Sequence, residues 1–298
     1  MAESAIVIAV ASGRCRIFLE GREIDCLIPS EIAKNQRSTL AVGDRVMAEP
    51  VEGALWRLTE ILPRRTVLSR PDPFNPRVER LIAANIDVVV NVVSIKAPPL
   101  RPRLIDRFLI ATQRGGAQPA ILVNKIDLVS DREVALAPLR VYEELQIPVV
   151  LCSTKTGEGI DALRALLTAK TSALVGHSGV GKSSILNALD ASLSLAIAEV
   201  HKKGTGRHTT TSSTLFDLGD ETYVIDTPGI REFGLWDITP EVLRESFPEF
   251  QEASESCYFN DCTHLHEPDC EVKRRLERGE IHRARYDTYA RLSEDLKK

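Results

Sequence analysis

The chain has no apolar run near the roughly 18 residues that cross a bilayer. Its opening Met1-Ala2-Glu3-Ser4 carries none of the basic residues that begin an export signal. A cytoplasmic protein without membrane contact, and a monomer, is expected. Internal repeats and low-complexity tracts are also missing, which argues against a solenoid or a disordered tail. Nor is there an excess of charge: the net value is −4 over 298 residues. A nucleic-acid partner would have to be met by local basic patches, not by the field of the whole molecule. What remains is ordinary globular material, 43% apolar and 27% charged, enough for two domains or a core with appendages.

Cysteine is scarce and uneven. Cys15, Cys26 and Cys152 stand apart among apolar neighbours and read as reduced core residues. Cys257, Cys262 and Cys270 crowd together with histidines. With His264 they supply three thiolates and one imidazole, a closed tetrahedral set typical of structural zinc, with His266 as the rival fourth ligand. Tyr258 and Phe259 are expected to pack against that site.

From Ile6 to about Ile61, short alternating runs (Arg14 to Leu19, Glu23 to Ile28, Arg45 to Ala48, Leu55 to Ile61) are separated by turn signals such as Ser12-Gly13 and Glu20-Gly21. Five short strands suit an OB-like barrel, and an SH3-like barrel would look similar. The Pro- and Arg-rich stretch Pro63 to Pro76 then reads as a linker.

Beyond it the texture changes to α/β. The nearly continuous β-branched run Ile86 to Val93 is what a buried parallel strand requires. A helix over 103–113, a strand over 120–123, a helix over 132–145, a strand over 148–151, a helix over 159–167 and a strand over 172–175 follow. This alternation predicts a doubly wound sheet with ligands at the carboxyl ends of its strands. After Trp236 the chain becomes polar and helical, so the expected division is 1–66, 67–236 and 237–298.

Gly176-His177-Ser178-Gly179-Val180-Gly181-Lys182-Ser183 matches G-x-x-x-x-G-K-S between a strand and a helix. Its glycines let backbone N–H groups wrap phosphates at a helix N-terminus, and Ser184 follows in the first turn. Lys182 should reach the β- and γ-phosphates, and Ser183 should ligate Mg²⁺. Asp226-Thr227-Pro228-Gly229 follows a strand over 222–225, so Asp226 can hold Mg²⁺ and the Gly229 N–H can sense the γ-phosphate. Asn124-Lys125-Ile126-Asp127 follows the strand over 120–123. Asp127 can accept from guanine N1–H and its exocyclic amine, while Lys125 lies along the base and Asn124 braces the loop. Adenine would leave that carboxylate unpaired. Ser153-Thr154-Lys155 is similar to the loop that meets guanine O6.

These parts of a GTP site stand in an unusual order. The base loops come first, the phosphate loop second, and Asp226-Thr227-Pro228-Gly229 last, which points to a circularly permuted G domain. Gly206-Arg207-His208-Thr209-Thr210-Thr211, Asp226 to Phe233, and Cys257-x4-Cys262-x-His264-x5-Cys270 complete the pattern. With them the whole chain resembles the RsgA (YjeQ/YloQ) family of ribosome-associated GTPases, circularly permuted, with an OB domain before and a zinc domain after.

The resemblance implies a GTPase acting in late maturation of the small (30S) ribosomal subunit and stimulated by it. It also implies rRNA contact by the OB domain, and its C-x-H spacing favours His264 as the zinc ligand. Where Ras-like enzymes place a water-orienting Gln, this chain has Ile230, which cannot hydrogen-bond water. His208, between the phosphate loop and Asp226, is the candidate catalytic group, a role assigned to the matching family histidine. Thr210 is the favoured second Mg²⁺ ligand, with Thr209 and Thr211 as alternatives. Arg64, Arg65 and Arg70 before the G domain, and Lys273, Arg274, Arg275, Arg278, Arg283 and Arg285 after the cysteine cluster, are candidate contacts to RNA phosphate. Two other readings remain: an RNA-binding tether whose GTP site is regulatory and slow, and a GTPase for another RNA.

Overall fold

The computed structural model describes residues 2–33, 40–51, 55–72, 75, 77–191, 193, 213–227, 235–236 and 238–296. The first five strands are β1 (Glu3–Ala11), β2 (Arg14–Leu19), β3 (Arg22–Leu27), β4 (Arg45–Pro50) and β5 (Trp56–Ile61). They close in the order β1-β2-β3-β5-β4-β1, with β3 and β5 parallel and the other pairs antiparallel. Strand period explains the closure: in β2, Cys15, Ile17 and Leu19 are buried while Arg14 and Arg16 face out. The inward side chains form one core with Val7, Cys26, Val46 and Leu58. Cys15 and Cys26 lie opposite each other, both free and buried. Five strands closed this way form an OB-like barrel.

The stretch from Pro63 is not a linker throughout. Val67–Pro71 is a strand, β6, paired antiparallel with β7 (Glu79–Ala84). Pro71 is tolerated because it ends the strand, where a missing N–H breaks little of the ladder. The arginines before it serve the fold: Arg64 reaches the fully buried Asp44 at 2.6 and 2.8 Å, and Arg65 reaches Asp87 at 3.1 Å.

Strands β8 (Val88–Ser94), β9 (Gln118–Asn124), β10 (Val149–Leu151), β11 (Thr171–Val175), β12 (Thr214–Asp217) and β13 (Tyr223–Asp226) lie in the order β10-β9-β8-β11-β13-β12. All these pairs are parallel except β12 with β13. Every residue of β8 is buried, the physical reason for its unbroken apolar run. The expected helix over 132–145 is broken into Arg132–Leu136, a 3₁₀ turn Ala137–Leu139, and Arg140–Glu144. Pro138 is the cause, since it lacks the N–H that a continuous helix would use. Ala9 of β1 pairs with Thr214 of β12, so barrel and α/β sheet run on as eleven strands.

After β13 the described residues hold helices Pro240–Glu245, Pro248–Glu255, Glu271–Glu277 and Arg283–Asp295, and no strand. Their core, built on Phe247, Phe250 and Tyr289, also takes in Ile110 from helix Pro102–Arg114 of the α/β layer. Among the described residues no helix is long and apolar enough to cross a membrane.

Candidate functional site

Strand order decides what meets. Because β11 lies between β8 and β13, the loop after β11 opens beside Asp226 at the tip of β13, and β9 ends nearby at Asn124. Gly176 and Gly181 make the phosphate loop possible. Both have positive φ, and an added Cβ would stand 2.2 Å from the Val92 carbonyl oxygen at the first and 2.4 Å from Asn124 Nδ2 at the second. Helix Lys182–Leu189 starts directly after Gly181 and carries Ser183 and Ser184 in its first turn. Lys182 Nζ donates to the Gly176 carbonyl at 2.6 Å, arching over the loop where a phosphate would sit. Burial lowers the Lys182 pKa, opposed by the nearby Asp226 carboxylate.

The base loops are fastened to the phosphate loop. Asn124 Nδ2 donates to Val180 O at 2.9 Å, and its Oδ1 accepts from Lys125 N at 2.8 Å and Thr154 N at 3.4 Å. Lys125, in a left-handed conformation, donates through Nζ to Gly179 O and Ala97 O, both at 2.6 Å. Ser153 Oγ donates to Asp127 Oδ1 at 2.6 Å and accepts from Thr156 N at 3.2 Å, so one hydroxyl orients the carboxylate and braces the turn that carries Lys155. Cys152 backs this group: burial pushes its thiol up to about 12, and the protonated Sγ lies 3.6 Å from Asn124 Oδ1. His208, Thr209, Thr210, Thr211, Gly229 and Ile230 lie outside the described residues.

The second site is the cysteine cluster. Ligand atoms of Cys257, Cys262, His264 and Cys270 all lie within 4.8 Å of one another. Cys257 Sγ is 3.9 Å from Cys270 Sγ, and His264 Nδ1 is 3.7 and 3.5 Å from those two sulfurs. His264 Nε2 is 3.1 Å from Ser254 Oγ, a partner that fixes the ring and leaves Nδ1 to the cluster. Burial, then the Arg244 charge, lowers the His264 pKa, so its imidazole is neutral, as a ligand must be. Burial pushes the Cys262 thiol up to about 12 and raises Cys270 as well, so only a cation among them would hold these sulfurs as thiolates. The set fits a structural metal site. His266 is exposed and outside it. Glu267 shapes the loop, accepting from Thr263 N, Thr263 Oγ1, Leu265 N and His266 N. Burial alone would raise its pKa, but these donors hold it down at about 2.

Two sequence readings need correction here. Tyr258 and Phe259 do not pack against the cluster: they lie edge to face, ring centroids 4.9 Å apart, and Tyr258 is 77% exposed. The cysteines on both sides hold this short loop at the surface. Arg285 is buried and so cannot touch RNA. Its guanidinium joins Asp106 at 2.7 Å and Glu249 at 2.6 Å, an arrangement that charge runs in sequence cannot reveal. Two other candidate RNA contacts form ion pairs at the surface, Arg275 with Glu252 and Arg278 with Glu271 and Glu280.

Residues 61–236 match the family model described as RsgA GTPase. The chain is 42% identical over 291 residues to the small ribosomal subunit biogenesis GTPase RsgA of Chlorobaculum parvum, covering 93% of this chain and 92% of that one. With the protein of the same name from Haemophilus influenzae it shares 39% over 266 residues, 87% of this chain and 76% of that one. Among solved structures, YjeQ from Thermotoga maritima superposes with a TM-score of 0.79 at 32% identity, covering 99% of each chain. YloQ, a circularly permuted GTPase, gives 0.75 at 30%, covering 100% of this chain and 96% of that one.

Proposed function

The chain belongs to the RsgA GTPase family, and from that membership we propose that it binds the small ribosomal subunit and hydrolyses GTP to GDP and phosphate late in the maturation of that subunit. The observation that carries the nucleotide reading is the convergence of Asn124 and Lys125 on the phosphate loop, whose Lys182 lies near Asp226, with Asp127 held beside them by Ser153.

Asp127 reads guanine through two donors that adenine does not offer, and Ser153, Thr154 and Lys155 close the other edge of the base. Backbone N–H groups of residues 176–184 cradle the phosphates, and Lys182 leaves its carbonyl partners for the β- and γ-oxygens. Ser183, Asp226 and Thr210 would hold Mg²⁺, whose charge offsets that of the phosphates. Gly229 senses the γ-phosphate, and His208 orients the attacking water that Ile230 cannot.

Zinc is the metal we assign to Cys257, Cys262, His264 and Cys270. Zn–S bonds of ~2.3 Å and Zn–N bonds of ~2.05 Å in a tetrahedron give edges of about 3.8 and 3.6 Å; the three edges among Cys257, Cys270 and His264 are 3.9, 3.7 and 3.5 Å, and all four ligand atoms lie within 4.8 Å. Four protein ligands leave no open position, so the role is structural.

We divide the chain at 66 and 236 and assign RNA contact to the barrel. Its Arg14 and Arg22 are exposed and have no acidic partner among the described residues, and they flank the β2–β3 face on which such barrels bind oligonucleotides. A cytoplasmic monomer fits this work. Ile230 supports a second reading, a tether with a slow, regulatory GTP site. Turnover measured with and without purified small subunits separates the two. Strong stimulation by the subunit supports the enzyme reading, a flat rate the tether, and stimulation by another RNA would redirect the substrate assignment.

A further inference from the structure

Helix Pro102–Arg114 packs on three fronts. Ile105 and Leu109 join the core beside the base loops, Phe108 and Ala111 join the core shared with the barrel, and Ile110 belongs to the C-terminal core. Asp106, one turn before Ile110 and on the same face, meets the C-terminal module through Arg285. Both side chains are nearly sealed from water, 2% and 3% exposed. The guanidinium is held on three sides: by Asp106, by Glu249, and by the Phe247 ring 4.3 Å below it. Tyr142 donates to the same Asp106 oxygen at 2.8 Å. Buried ion pairs are costly to desolvate and demand good geometry, so small displacements of Asp106 cannot be ignored by Arg285.

The segment that leads into the N-terminus of this helix touches the guanine loop. Ile95 N donates to Asn124 O at 3.2 Å, and Ala97 O receives the Lys125 ammonium at 2.6 Å. Lys125 is the residue that must lie along a bound base. The segment between these contacts and the helix sits over a small cavity lined by Asn91, Ser94, Pro98, Pro99, Leu104 and His177. Both polar atoms of the Asn91 amide are buried there with no hydrogen-bond partner. Space under the segment lets it shift, and His177 brings the phosphate loop to the same cavity.

We propose that helix Pro102–Arg114 carries occupancy of the guanine site to the C-terminal module, with Asp106 and Arg285 as the positioning joint. The proposal rests on the GTP-site reading. Base binding redirects Lys125 between Ala97 O and Gly179 O, the 95–101 segment follows, and the helix passes the shift to Arg285. This route responds to the base, common to GTP and GDP, and is distinct from the γ-phosphate route through Asp226 and Gly229.

Amide hydrogen exchange of the full-length, metal-loaded protein, empty or saturated with GDP, tests it. In the wild type, GDP should slow exchange in helix Arg283–Asp295 by roughly 5-fold or more, the lower end of ordinary coupling. Glu249→Gln removes an acid that lies within the C-terminal module and leaves the Asp106 bridge, so it should retain the response. Asp106→Asn should still bind GDP but lose it. Arg285→Lys keeps the charge without the fork and should respond weakly; it also serves if Asp106→Asn does not fold. A full response in Asp106→Asn or Arg285→Lys, loss of the response in Glu249→Gln, or no response in the wild type despite GDP binding would overturn the joint. Failure of the wild type to bind GDP would overturn the guanine-site reading and the joint with it.

Discussion

Asn124 donates its side-chain amide to the Val180 carbonyl at 2.9 Å, fastening the base loop to the phosphate loop across 56 positions of sequence. The bond is buried, and the same side chain accepts from Lys125 N and Thr154 N, so one residue holds three loops in register. Asn124→Ala should leave buried groups unpaired at a cost of about 1–3 kcal/mol. The expected result is GTP affinity lower by roughly 5- to 150-fold, read by titration calorimetry. Unchanged affinity would mean that the loops hold without it.

Asp127 has a narrower task. Asp127→Asn keeps the volume and places a donor where guanine also donates. GTP affinity should fall by roughly 100-fold or more, the worth of two charge-assisted hydrogen bonds. Adenine nucleotides should gain little, because Asn124 and the phosphate loop are untouched. Competition of GTP and ATP for a fluorescent nucleotide on both proteins is the check.

His208→Ala should lower subunit-stimulated turnover by about 10²–10⁴-fold, the usual worth of a positioned acid–base group. Nucleotide affinity should be spared, since the base and phosphate contacts lie elsewhere. Single-turnover hydrolysis with saturating small subunits measures it, and wild-type turnover would remove His208 from the mechanism.

Loss of one sulfur should empty the metal site. Cys262→Ser, or chelation of the wild type, is expected to bring metal content from about one ion per chain to near zero. The helices after residue 240 should then lose exchange protection while GTP still binds. A full metal complement in the variant, by elemental analysis, would exclude Cys262 from the ligand set.

The pH dependence of metal binding follows from the thiols. Without an ion, burial pushes the Cys262 thiol up to about 12 and raises Cys270 as well, so both are protonated at neutral pH and must release protons when metal binds. Burial lowers the His264 pKa, so a proton competes less with the metal there than at a free imidazole. Metal affinity should therefore rise with pH by at least roughly 100-fold per unit, since these two of the three thiols alone release two protons. Competition with a chelator between pH 6 and 8 reads the slope. A slope near zero would mean that the sulfurs are not the ligands.

Much of the site was legible because its chemistry is local. A loop that wraps phosphate needs glycines at fixed spacing before a helix, and the all-buried strand β8 needs apolar residues at every position. The cysteine cluster was readable for the same reason, since few donor types can hold a metal. Legibility ended where distant residues meet. Arg285 sits in a charge run resembling any solvated helix, and only packing shows it facing Asp106, 179 positions away. Arg64 looked like a linker cation until Asp44 was found beneath it. Tyr258 and Phe259 have the composition of core residues, yet the loop between Cys257 and Cys262 is too short to fold them inward.

Sequence by itself determined which groups could read guanine, wrap phosphate and hold a metal, because those tasks depend on residue type and near spacing. Tertiary structure decided which loops share a pocket, which histidine joins the cysteines, and that the C-terminal module is seated on helix Pro102–Arg114 by a sealed ion pair. The reason is physical: strand order and burial set distances between residues far apart in the chain, and a charge is worth most where water has been excluded.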